Sequence, residues 1–101
     1  MKTTRKMLES ICARINATHG LPNDLYAVDS EGVLVREKGT RCAVPNVGVV
    51  YLTGANGGWR IEQMSAGGGS SDFLQAGYES KRVMYLTASA YLEGYLKARH
   101  N

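Results

Sequence analysis

At 101 residues the chain has room for one domain, spanning 1–101, and its 44% apolar share is ordinary for a globular protein. Its longest apolar run, Val47 to Leu52 interrupted by Gly48, falls far short of the roughly 20 residues that cross a bilayer, and MKTTRKMLES lacks the apolar stretch of a secretory signal. The net charge of +3 favours anionic partners, but no basic run is interleaved with aromatics as nucleic-acid binding would require.

Thr3 or Thr4 can cap a helix running to about Thr18. Met7, Leu8, Ile11, Cys12 and Ile15 fall on one face of it, while Lys2, Arg5, Lys6, Glu9 and Arg14 keep the other side wet. His19-Gly20 followed by Pro22 supplies the stop. Leu21 to Thr40 then reads as a short hairpin, with Tyr26-Ala27-Val28 and Val33-Leu34-Val35 flanking the turn Asp29-Ser30-Glu31-Gly32. Pro45 assigns its surroundings to an edge or a loop.

The strongest strand signal is Val49 to Thr53, then Gly54-Ala55-Asn56-Gly57-Gly58, then Trp59 to Met64. Trp59, Ile61 and Gln63 alternate with Arg60, Glu62 and Met64, which turns Trp59 and Ile61 toward the core. Ser65 to Gly77 holds three consecutive glycines and reads as a loop. A final helix starts near Ser80 and runs to about Ala98, with Met84, Ala88, Tyr91, Leu92 and Tyr95 as its apolar stripe and Val83, Leu86 and Ala90 widening it. Gly94 weakens that helix unless another backbone approaches closely or the end frays. No internal repeat is evident. The fold class is α+β: an N-terminal helix, a small antiparallel sheet of about three to five strands, and a C-terminal helix.

The chemistry-bearing residues are sparse. Cys12 and Cys42 read as free buried thiols, and with no CxxC and two histidines at element ends there is no metal site to propose. Ser is plentiful, but no His stands where a triad base is needed, so no catalytic residue and no cofactor are assigned. Seven of the twelve glycines lie between Gly54 and Gly77. A glycine-rich turn can aim several backbone N–H groups at one anion. The candidate ligand-binding set is therefore Gly67, Gly68, Gly69, Ser70, Ser71 and Asp72, with Trp59 or Tyr78 stacking on a base and Arg60 or Arg82 completing the charge. A plain connector loop is the alternative reading of the same glycines. The Tyr-rich C-terminal helix offers a surface for a homodimer.

The segment Tyr51 to Met64 resembles a widespread group of small bacteriophage and prophage proteins with a YxxxAxGG hairpin. In that group a GGG…D loop follows, here Gly67-Gly68-Gly69 with Asp72, and then a helix ending in AYLxG, here Ala90-Tyr91-Leu92-Glu93-Gly94. The likeness covers roughly residues 47–96 well and the first 46 weakly. Between the glycines and the Asp the group carries an apolar and a basic residue, where this chain has Ser70-Ser71. The resemblance implies a phage accessory protein of the cytoplasm of an infected bacterium, acting in counter-defence or host takeover without catalysis. Its partner would be a small anionic, nucleotide-like signal that it sequesters, a host protein that it inhibits, or a phage structure that it helps assemble.

Overall fold

The structure, a computed structural model, describes residues 2–55, 58–66, 69–74 and 79–100. In chain order it comprises α1 (Arg5–Thr18), β1 (Val50–Ala55), β2 (Gly58–Met64), β3 (Ser70–Asp72) and α2 (Lys81–His100). The strands form one antiparallel sheet in the order β1-β2-β3. This is the α+β architecture that the periodicities predict, with helix boundaries within about two residues of the expected ones.

Local signals explain α1. Thr4 is the N-cap, and its Oγ1 accepts a hydrogen bond from the Met7 N–H at 3.2 Å. At the other end Leu21 N–H donates to Asn16 O at 2.8 Å and Gly20 N–H to Ala17 O at 3.0 Å. Gly20 takes a φ of 73°, as a left-handed helix stop requires. α1 lays Leu8, Ile11, Cys12 and Ile15 against Val50 and Ile61 of the sheet and Met84, Ala88 and Leu92 of α2. Each fully buried aliphatic side chain contributes about 1.5–3 kcal/mol. Trp59 packs against this cluster half-buried. The expected widening of the α2 stripe by Val83, Leu86 and Ala90 does not occur, for all three are exposed. Helical rotation turns them away from Met84, and Tyr85 and Leu96 pack on the core instead.

One buried polar side chain ties α1 to the sheet. Asn16, 2% exposed, accepts from Val50 N–H at 2.8 Å and donates to Val50 O at 3.0 Å. It thus makes the two bonds that a neighbouring strand would make, and closes the start of the free β1 edge.

Between α1 and β1 the expected hairpin is present, with Val28 bridging Leu34 and Gly32 at a φ of 80°. It continues into a third segment that closes a ring. Ala27 N–H donates to Val44 O, Val44 N–H to Val35 O and Val35 N–H to Ala27 O, at 2.8, 3.0 and 2.9 Å. Asp29, Glu37 and Asn46 donate in the opposite cyclic sense, to the carbonyls of Val33, Cys42 and Leu25. Each also opens a turn, closed by Gly32, Thr40 and Val49 N–H. The stretch 25–49 is therefore a three-fold internal repeat, contrary to the expectation of none. Its units share a short apolar segment and a valine four residues ahead of a glycine with positive φ (Val28 and Gly32, Val35 and Gly39, Val44 and Gly48). Pro45 is accommodated because its bridge to Tyr26 does not call on its missing N–H. Cys42, expected to be buried, is exposed on this arm. Gly94 lies inside α2 with nothing within 4 Å of where a Cβ would stand, so no backbone approach accounts for it.

Candidate ligand-binding site

The sequence-predicted site residues separate into two groups along β2. Ser70 and Ser71 pair with Met64 and Gln63 at one end of the strand, whereas Trp59 lies at the other. At about 3.3 Å per residue, the five steps from Trp59 to Met64 span roughly 16 Å. Ser65 N–H donates to Gly69 O at 3.0 Å and closes the loop that holds the glycines. Gly67, Gly68 and Tyr78 lie outside the described residues.

The middle of the sheet carries a polar network. Glu62, 8% exposed, accepts from Ser70 Oγ at 3.2 Å, from Thr53 Oγ1 at 3.4 Å and from Arg60 Nη2 at 3.4 Å. Arg60 Nε lies 3.2 Å from Asp72 Oδ1. Arg60, Asp72 and Ser70 thus serve one another and Glu62, and their role here is to pin β3 to β2. Ser71 is exposed beside them.

The other end of β2 is built differently. Trp59 exchanges two backbone hydrogen bonds with Glu79, at 2.7 and 2.8 Å, which brings the start of α2 alongside the strand. Ser80 Oγ accepts from Val83 N–H there, as an N-cap does. The six-membered ring of the indole lies on Gly54: a Cβ at that position would stand 2.9 Å from Cζ3. Over the same indole stand Arg5 Cζ, 5.8 Å from the ring centroid, and Lys81 Nζ, 5.6 Å from it. Three elements therefore converge on one aromatic ring, and two of them bring a cation.

α1 and α2 run in the same direction. Thr3 and Met7 share a shallow hollow with Arg82, Tyr85 and Leu86, while at the far end Arg99 Nη1 reaches Thr18 O at 3.4 Å. Neither helix has an acid in its first turn. Lys2, Arg5, Lys6, Lys81 and Arg82 consequently gather at one end of the molecule, where both helix dipoles also favour negative charge. Among the predicted residues that the structure describes, only Trp59 and Arg82 belong to this end. Arg5 and Lys81, which the sequence reading does not nominate, stand beside Trp59 here. The acid-free first turns were a readable signal, but nothing local says that the two helices start side by side.

The opposite end closes with rings. Tyr91 Oη and His19 Nε2 are 2.8 Å apart, Tyr95 stacks on His19 at 4.7 Å, and Phe73 meets Tyr91 edge-on at 5.0 Å. Burial raises the Tyr91 pKa, with Tyr95 adding to the effect. The Cys12 thiol is pushed up to about 12, chiefly by burial and secondarily by Glu9, which keeps it protonated and unreactive. Among the described residues no three His, Cys, Asp or Glu gather to hold a metal ion, and no helix is long and apolar enough to cross a membrane. Comparison of the chain with protein-family models, with curated proteins and with solved structures finds no match.

Proposed function

We propose that this protein is a non-enzymatic binding protein that sequesters a small nucleotide-like anion, and that the ligand seats at Trp59 rather than in the glycine-rich loop. The observation that carries this reading is the single indole held by Gly54 beneath two cations from separate helices. A base takes the place of Arg5 and Lys81 over the face of the ring that Gly54 leaves open, and that stack is worth about 1–3 kcal/mol. Lys81 and Arg82 take the phosphate, each charge-assisted contact adding about 1.5–3 kcal/mol, and Arg5 follows. Arg5 brings less, because it already pairs with Glu9 at 2.8 Å. Sequestration at micromolar order needs about 8 kcal/mol net, so the stack and the phosphate contacts must together exceed the costs of association by that much. Sequestration then works when the protein outnumbers its ligand, as a phage accessory protein acting on a host signal would.

Inhibition of a host protein is the second reading, favoured by the apolar arm at 25–49. Calorimetry against cyclic and linear nucleotides, beside a pull-down from host lysate, separates the two. Nucleotide heat that falls about tenfold in affinity on Lys81→Ala supports sequestration. No heat, with one host protein recovered stoichiometrically, rejects it in favour of inhibition. Heat unchanged by Lys81→Ala and by Arg82→Ala moves the site elsewhere.

A further inference from the structure

The three-fold arm carries an uneven surface that the ligand site does not use. Among the described residues eight large apolar side chains are exposed, and Val28, Val33, Leu34, Val35 and Val47 of this arm are five of them. Val33 is 58% exposed and Leu34 44%. The arm holds three acids and three bases, but they are segregated. The first turn carries Asp29 and Glu31. The second carries Lys38, flanked by Arg36 and Arg41, against the one acid Glu37. The middle segment, 33–37, runs from the acidic turn to the basic one with its apolar residues between them.

Such a surface is complementary to itself. A two-fold axis through the middle segment lays the acidic turn of one copy on the basic turn of the other, twice, and brings the bridged pair Val28 and Leu34 of each copy together at the centre. We propose that the arm is a homodimer interface, and that its occupant is the arm of a second copy of this chain. This places the contact away from the Tyr-rich face of α2, where Tyr91 and Tyr95 are engaged with His19 of their own chain. The interface does not depend on the ligand reading.

Sedimentation velocity on the full chain tests it, from about micromolar to about millimolar concentration. Glu31 and Lys38 are both exposed and suit charge reversal, whereas Asp29 Oδ1 holds the turn by accepting from Glu31 and Val33 N–H. The wild-type chain dimerises with concentration. Glu31→Lys alone and Lys38→Glu alone each weaken the dimer about tenfold, because each reversal acts twice across the axis. An equimolar mixture of the two variants recovers wild-type affinity, since the reversed charges then face each other. Circular dichroism confirms that each variant is folded. A chain that stays monomeric throughout overturns the proposal. So does a dimer indifferent to both reversals, or a mixture no tighter than its components.

Discussion

Asn16 is the residue on which the helix-to-sheet join turns. It lies four residues beyond Cys12, on the buried face of α1, and is polar where the pattern asks for an apolar side chain. Its amide replaces a missing strand at Val50, so Asn16→Ala leaves a buried N–H and C=O without partners. Chemical denaturation of that variant is expected to show a loss of about 2–4 kcal/mol. Gly54 is needed for a different reason, the space above it. Gly54→Ala drives a methyl into the indole and is expected to cost about 1–3 kcal/mol, with an altered emission spectrum from Trp59. The two thiols differ in kind. One thiol per native chain, Cys42, is expected to react with a thiol reagent, and both once the chain is unfolded. Burial raises the folded-state pKa of Cys12 from 9.0 to about 12. The folded form therefore holds its proton more tightly, and stability is complete below pH 9 and declines as pH climbs through 12. Alkaline titration of the unfolding midpoint reads this directly, and Cys12→Ala flattens the decline.

At the scale of elements, both helices and the β1–β2 hairpin were legible because their apolar spacing matches periods of about 3.6 and 2. The core list follows from the same pattern: Ile11, Cys12, Ile15, Ile61, Met84 and Leu92 are buried together, with Trp59 at the margin. The closed ring at 25–49 was not legible. Its two hairpins, turning at Asp29 to Gly32 and at Glu37 to Thr40, are local features and Glu37-Lys38-Gly39 signals the second turn, but closure depends on Tyr26 meeting Pro45, nineteen positions away. Gly94 illustrates the same limit, since a glycine inside a helix invites a packing explanation that its open surroundings do not provide. Gly94→Ala is expected to stabilise the protein by up to about 1 kcal/mol, measured by thermal or denaturant unfolding. A destabilised Gly94→Ala would mean that something rests on that turn.

For the molecule as a whole, the parallel course of α1 and α2 decides how charge and rings are distributed. It gathers cations at one end, with Trp59 among them, and aromatic rings at the other. The candidate site was half legible. The sequence offers Trp59 or Tyr78 as the stacking aromatic and Arg60 or Arg82 as the cation, and no local signal chooses between them. Arg5 and Lys81 were not found, because their meeting depends on tertiary arrangement. The radius of gyration of 14.8 Å exceeds the roughly 13 Å of an average fold of this length.

Trp59 is the only tryptophan in the chain, so the proposed site reports on itself. Titrating cyclic and linear nucleotides against its intrinsic fluorescence is the most direct test of the ligand reading. Saturable quenching is expected with one ligand per chain, at about micromolar concentration, weakening about tenfold in Lys81→Ala while circular dichroism is unchanged. Fluorescence that does not respond to any member of the panel up to about millimolar concentration would contradict it.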